Sequence, residues 1–175
     1  PTLLRRQRQM CIRDRIVGYD DGELVELSYD DITDQKYDDR ERANLEIHEI
    51  TENGWIGFTD KYWMSTLVGE PQSKFKMASK YNEATDIYQA DIRHPLQSIG
   101  SGQSTEVKTY LFAGAKEVNT IKTYQKEADF ADFIDTVDWG WFFFLTKPIF
   151  SLLDYCNKLV GNMGWAIILL TLVVK

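Results

Sequence analysis

The sequence predicts a mainly β protein. It should fold as an antiparallel β-sandwich with short helices packed at its C-terminal edge, followed by an amphipathic helix and then the first half of a transmembrane helix. Three observations predict this. Short alternating or apolar runs recur about every ten residues up to Gly114, with turn signals between them. The charge pattern then changes near Asp138: Tyr19 to Asp60 holds 14 acidic and 3 basic residues, whereas Trp139 onward holds one acid, Asp154, and three lysines. Finally, GWAIILLTLVVK runs apolar or near-neutral from Trp165 to Val174 and meets Lys175.

Composition narrows the function. The chain has 175 residues, 43% of them hydrophobic, which is enough for a sizeable core. Its net charge of −7 argues against nucleic acid as a partner. Cys11 and Cys156 lie far apart in unlike contexts, so neither a disulfide nor a metal site is expected from them. His48 and His94 each stand alone and read as surface or strand histidines. The opening PTLLRRQRQMCIRDR carries five arginines and one aspartate, with no apolar stretch or cleavage pattern of a signal peptide. Residues 1–15 read as a lead foreign to the rest of the chain and play no part in the fold expected here. Four segments result: 1–15, the sandwich with its edge helices over 16–137, the amphipathic helix over 138–160, and the start of a membrane helix over 161–175.

The strands come in order along the chain. ELVELSY (Glu23–Tyr29) alternates acid with apolar for part of its length. The acidic DDITDQKYDDRER reads as a solvated loop; it lacks the glycine and spacing of a helix-loop calcium site. LEIHEI alternates with Leu45, Ile47 and Glu49 on one side. ENG turns into WIGFT, and DKYWMSTLV is the next strand. SKFKMASKY sets Phe75, Met77 and Ser79 against lysines, and TDIYQADIRH sets Ile87 against Tyr88 before Pro95 stops it. SIGSGQST is a Gly/Ser turn, and EVKTYLFAG returns as a strand. After Gly114, Val118, Ile121 and Tyr124 fall at helical spacing, which predicts one or two short helices on the sheet edge.

WGWFFFL then packs five aromatics into seven residues. Next to an apolar run such rings mark a membrane–water interface, so Trp139, Trp141, Phe142, Phe143 and Phe144, with Trp165 further on, are candidate interface anchors. Thr146 and Pro148 suit a helix start. From there Ile149, Leu152, Leu153, Cys156, Leu159 and Val160 share one face, and Lys147, Ser151, Asp154, Asn157 and Lys158 the other. GNMG is a helix stop and hinge, and a new helix should start near Trp165. A bilayer core of about 30 Å needs about 20 residues, twice what remains, so the helix reads as cut short. Lys175 is then either a buried charge near the membrane midplane or a helix end that snorkels to water, and the pattern leaves both open. Thr171 lies one turn earlier.

GWIGFTDKYW (Gly54–Trp63), LFAGAKEV (Leu111–Val118), DWGWFFFLTKPIF (Asp138–Phe150) and VGNMGWAIILLTLVVK (Val160–Lys175) resemble the bacterial YidC family of membrane-protein insertases, in that family's order and spacing. The resemblance covers about residues 16–175 and is loose before Asn53. It implies a periplasmic β-supersandwich, an interfacial helix and a multi-pass inner-membrane core of which only the first helix begins here. By that resemblance Lys175 takes the place of the positive residue of a hydrophilic groove, and Thr171 that of a residue beside the inserting substrate. It implies as partners nascent membrane proteins, the lipid bilayer, and the Sec translocon with its accessory subunits. It implies neither enzymatic chemistry nor a cofactor, and no phosphate loop is present in the sequence. Two other readings stand beside it. One is a membrane-anchored sandwich that binds carbohydrate, for which Asp60, Glu70, Asp86 and Asp91 supply acids without a paired spacing. The other is a sandwich that only scaffolds partners.

Overall fold

The computed structural model describes residues 15–140 and 142–175, apart from the Phe143 side chain. Of the lead expected over 1–15, residues 1–14 lie outside the described residues, as do Trp141 and the Phe143 ring; Arg15 is the first residue of a strand. The chain forms two compact units, one ending at Thr136 and the other running Val137–Lys175.

The first unit is built on two antiparallel sheets, and among the described residues no barrel closes. One sheet has five strands in the order β2-β1-β5-β6-β9: β1 (Arg15–Asp20), β2 (Glu23–Ser28), β5 (Gly54–Thr59), β6 (Trp63–Gly69) and β9 (Thr109–Ala115). The other has four in the order β3-β4-β7-β8: β3 (Tyr37–Asp38), β4 (Ala43–Ile50), β7 (Phe75–Asn82) and β8 (Ile87–Arg93). Between the sheets Ile16 and Ile56 meet Ile50, Phe75 and Met77, all nearly inaccessible. Phe75 lies so close to Gly69 that a Cβ there would sit 2.1 Å from its ring. That contact ties the end of β6 to the start of β7 and leaves no room for a side chain.

Each strand shows how the pleat sorts its side chains. In β7 Phe75, Met77 and Ser79 are buried, as their alternation against lysines predicts. In β4 the apolar alternation misleads. Ile47 is 44% exposed, while Ile50 is buried and His48 faces Asp20 of β1, Nδ1 to Oδ2 3.0 Å. The side holding Leu45 and Ile47 therefore points away from the sandwich. The opposite side takes part in the core through Ile50 and in a His–Asp contact between the sheets. Similarly, Tyr88 packs on Tyr29 and Tyr81, with ring centroids 4.5 and 4.6 Å apart, and Ile87 is left outside.

Three elements escaped the sequence reading: β1, α1 (Tyr29–Thr33) and the two-residue β3. β1 is central, paired with both β2 and β5. It joins β2 through Asp21-Gly22, both at positive φ (43° and 113°), as a two-residue hairpin turn requires. The acidic stretch expected to be a loop contains α1 (Tyr29–Thr33). Ser28 caps it with Asp31 returning the bond, and Ile32 is fully buried in the core. α1 packs against β2 of one sheet and β4 and β7 of the other, closing that side of the sandwich. One apolar residue among acids was enough to bring the segment inward.

α2 (Val118–Glu127) and a 3₁₀ turn (Phe133–Thr136) come after β9. They cover the outer face of the five-stranded sheet and not its edge. Phe133 meets Trp55 and Phe112 edge-on at 5.8 and 5.6 Å, and Phe130 meets Tyr110 at 5.4 Å. Trp55 Nε1 donates to the Ala131 carbonyl at 2.9 Å. Tyr19 donates its hydroxyl to Asp132 at 2.7 Å. Burial, then the Asp132 carboxylate, push the Tyr19 phenol up to about 12. The reason for the face is area. Tyr19, Trp55, Val68 and Phe112 form an apolar outer face that only a full helical cover can dry.

The second unit is a pair of helices, α3 (Phe143–Val160) and α4 (Met163–Val174), packed on one another. Cys156 and Ala166 are its buried residues among those described. Gly161 ends α3 in the left-handed region at φ 69°, its N–H bonded to the Asn157 carbonyl at 2.7 Å. The Asn162 side chain caps α4 by accepting from Gly164 N at 2.9 Å and Trp165 N at 3.4 Å. α4 thus begins two residues before Trp165. α3 begins at Phe143, before the expected Thr146–Pro148 start. Pro148 sits inside the helix, where the N–H it lacks would have bonded Phe144. Thr146 does not cap; its hydroxyl donates back to the Phe142 carbonyl at 3.0 Å.

Candidate functional site

The sequence points to the second unit, and its side chains are distributed unusually. Phe142, Phe144, Leu145, Leu159 and Val160 of α3 and its N-cap are all exposed. Ile149, Leu152 and Leu153 are half-buried and Cys156 is buried, so only the middle of the apolar face is covered. In α4 the exposed residues include Trp165, Ile167, Ile168, Leu172, Val173 and Val174, which between them occupy every side of the helix. A helix that is apolar all round belongs in an apolar medium. With 12 residues it extends about 18 Å at about 1.5 Å per residue. No helix among the described residues is long and apolar enough to cross a membrane.

The described aromatic residues Trp139, Phe142 and Phe144 lie at the start of α3. Trp139 packs edge-on against Phe150 at 5.6 Å, and the Lys147 ammonium lies 6.0 Å from the Trp139 ring. Phe142 and Phe144 meet at 6.2 Å and both rings remain exposed. Trp165 stands 64% exposed in the first turn of α4. On the polar side, Lys158 pairs with Asp154 one turn earlier at 2.7 Å.

At the far end of α4, Lys175 is joined to Thr171 by the backbone: Lys175 N–H donates to the Thr171 carbonyl at 3.2 Å. The Thr171 hydroxyl donates to the Ile168 carbonyl at 2.7 Å. In an apolar surrounding that bond would satisfy the hydroxyl proton without water. The two residues are therefore one turn apart at the end of the same apolar rod. The residue missed by the sequence reading is Asn162. An asparagine directly after a helix-stopping glycine is the signal of a cap, and it sets where α4 starts.

Three of the four acids considered for a carbohydrate cleft, Asp60, Asp86 and Asp91, have separate engagements. Asp91 pairs with Arg93 at 3.4 Å, Asp86 accepts from the Tyr81 hydroxyl at 3.1 Å, and Asp60 caps the backbone N–H of Lys61. Among the described residues no group of three or more His, Cys, Asp or Glu is placed to hold a metal ion.

Comparison with known proteins adds to this geometry. A family model described as the YidC periplasmic domain matches residues 6–152. The chain is similar to the membrane protein insertase YidC of Ruegeria sp. (strain TM1040), 49% identical over 164 residues, which is 94% of this chain and 27% of the relative. It is similar to the protein of that name from Roseobacter denitrificans (strain ATCC 33942 / OCh 114), 51% identical over 165 residues with the same shares. A third relative so named, from Cereibacter sphaeroides (strain ATCC 17029 / ATH 2.4.9), is 44% identical over 181 aligned positions, covering 98% of this chain and 29% of its own length. The chain spans less than a third of the length of these curated relatives.

Proposed function

The chain belongs to the YidC family, and on that premise we propose that it is the part of a membrane-protein insertase where a periplasmic sandwich passes into the membrane-embedded core. The full-length protein would insert and fold integral proteins in the bacterial inner membrane, alone or beside the Sec translocon. Residues 16–137 would lie in the periplasm and 138–160 would form the amphipathic helix at the membrane surface. Residues 161–175 would enter the bilayer as the first half of a membrane helix. Trp139, Trp141, Phe142, Phe143, Phe144 and Trp165 would hold this region at the lipid headgroups. Lys175 would be the positive charge of a hydrophilic groove, with Thr171 on its substrate-facing side.

The observation that carries the reading is α4: exposed apolar side chains on every side, ending on a threonine and a lysine one turn apart. In water this surface is costly, at about 25 cal/mol per Å²; in lipid it is the natural exterior. A single positive charge inside the bilayer costs about 2.5–3.5 kcal/mol on insertion scales, so it is kept where it serves a function. In a groove it would attract acidic and polar parts of an incoming chain and shorten the apolar distance they must cross. The substrate's own apolar segment then partitions into lipid, which supplies the driving force. The step breaks no bond and needs no nucleotide.

Lys175→Ala in the full-length protein, reconstituted in vesicles, tests the reading. Insertion of groove-dependent substrates should fall about tenfold or more, about 1.4 kcal/mol of lost stabilisation, and Lys175→Arg should restore it. Unchanged insertion in Lys175→Ala would remove Lys175 from the mechanism.

A further inference from the structure

One corner of the sandwich holds two large rings out to solvent. At the β5–β6 hairpin Tyr62 is 63% exposed and Trp63 62%. The Lys61 ammonium lies 5.1 Å from the centre of the Tyr62 ring. The backbone beneath these side chains is held at three points. The Asp60 N–H donates to the Trp63 carbonyl at 2.8 Å, the Asp60 carboxylate accepts from the Lys61 N–H, and the Tyr62 carbonyl accepts from the Lys116 N–H at 2.8 Å. The hairpin is thus fastened to the junction of β9 with α2, and its rings stand on a fixed base. Among the described residues neither the Tyr62 hydroxyl nor the Trp63 indole N–H is hydrogen-bonded.

A single exposed ring is ordinary. Two adjacent ones at a tip, with Lys61 and Lys116 beside them, match the chemistry of a lipid headgroup layer. There the body of a Tyr or Trp ring meets acyl chain, and its polar rim meets phosphate, carbonyl and water. Asp60 and Glu117 lie next to the two lysines, so the corner carries no net charge and the rings must supply the attraction. The path of the chain points the same way. Phe130 packs on Tyr110 and Phe133 on Phe112, two residues further along β9, and β9 ends at Ala115 opposite Trp63. The last turn of this unit therefore advances toward the end that bears the hairpin. Six residues, 137–142, then lead to α3.

We propose that the β5–β6 hairpin is a membrane contact of the sandwich itself, with Tyr62 and Trp63 seated among lipid headgroups. This rests on the reading of α3 as a helix at the membrane surface. One tether leaves the sandwich free to swivel over the bilayer; a second contact fixes which of its sides faces the lipid. Because the rings carry it, the contact needs no anionic lipid and survives high salt.

The test uses the full-length protein in vesicles of zwitterionic lipid, with its cysteines replaced by serine. Lys61→Cys, Trp165→Cys and Glu52→Cys each carry an environment-sensitive fluorophore in turn; Glu52 is at the other end of β5, its N–H bound to Asp21. Lipid brominated near the headgroup should quench Lys61→Cys and Trp165→Cys by about half or more, as rings seated about 5–10 Å deep require, and leave Glu52→Cys unchanged. Adding Tyr62→Ser and Trp63→Ser should remove the quenching at Lys61→Cys without moving the urea midpoint, since both side chains are exposed. Quenching at Trp165→Cys alone would overturn the proposal and leave the membrane reading of the helices standing; quenching at neither would overturn both. Quenching at Lys61→Cys that outlasts the loss of the two rings, or that vanishes in high salt, would overturn it too. An emission change that grows with protein density and ignores brominated lipid would mean a second copy, and would overturn it equally.

Discussion

In the sandwich, the large apolar side chains that define the fold are hidden: Trp55 is 1% exposed, and Phe133 and Ile32 not at all. In the helical pair, Leu172 is 71% exposed, Phe144 67% and Trp165 64%. Both regions are rich in the same residue types. The sandwich satisfies them internally, because two facing sheets and a helical cover enclose volume. Two helices cannot enclose much, and they bury little beyond Cys156 and Ala166. The contrast shows that hydrophobic content does not distinguish a core from a membrane surface; what matters is whether the fold has enough layers to turn that content inward. The second region leaves that content on its surface.

The largest expected effect sharpens this contrast. Trp55→Ala should cost the first unit about 3–5 kcal/mol, read as a lower urea midpoint. Trp165→Ala should leave that midpoint in place and instead weaken binding to lipid vesicles. If Trp165→Ala lowered stability in water as much as Trp55→Ala, the two regions would not differ in the way described.

Next is Ile32→Ala, which should cost about 3 kcal/mol although its neighbours in sequence are acids. An equal truncation of Leu172, exposed in α4, should change stability in water by less than about 0.5 kcal/mol. Finding Ile32→Ala neutral would return that stretch to the solvated loop its charge suggests.

A smaller effect concerns the tip of the β1–β2 hairpin. Burial acts to raise the Asp21 pKa. The Thr51 hydroxyl and the N–H groups of Asn53, Thr51 and Glu52, all donating to this carboxylate, outweigh it and lower the pKa from 3.8 to about 2. A carboxyl lowered by folding stabilises the fold above its unfolded value, and that contribution is lost as pH falls through the folded one. Asp21→Ala should therefore cost about 1 kcal/mol at neutral pH, since Asp21 is exposed and solvent screens it. It should also flatten the loss of stability between pH 3.8 and 2, measured by denaturation at each pH.

Smallest of all, Lys158→Ala removes the pair with Asp154 at 2.7 Å. It should lower helicity of the second unit by about 0.3–0.5 kcal/mol in low salt. In high salt, circular dichroism should show no difference from the unchanged protein.

How much of the fold was legible in the sequence depended on whether a local signal matched the final packing. β7 was plain, because Phe75, Met77 and Ser79 alternate against lysines and a sheet sorts by alternation. β4 alternates as clearly and misled, since its core side carries His48 and its outer side Ile47. A sandwich margin can place a polar pair inward when a partner such as Asp20 is there to meet it. β1 was missed because RIVGYD is apolar without alternation, being covered on both faces; the Asp21-Gly22 turn after it was the available sign. The cover of the outer face by α2 and the 3₁₀ turn depends on contacts between residues as far apart as Trp55 and Phe133, which no local pattern records. At the candidate site, Thr171 and Lys175 needed only helical spacing to be brought one turn apart. Their role rests on kinship and awaits the substitutions above.

The corner between α3 and α4 has a mechanical consequence. Gly161 and Asn162 are the only residues between the two helices, a reach of about 7 Å fully extended. Asn162 is itself bound into the first turn of α4. So short a joint has almost no slack. A pull on α4 is passed to α3 rather than taken up as slack, and a pull on α3 returns the same way. Lengthening the joint by a few glycines would act as a clutch, leaving both helices intact while uncoupling their motions.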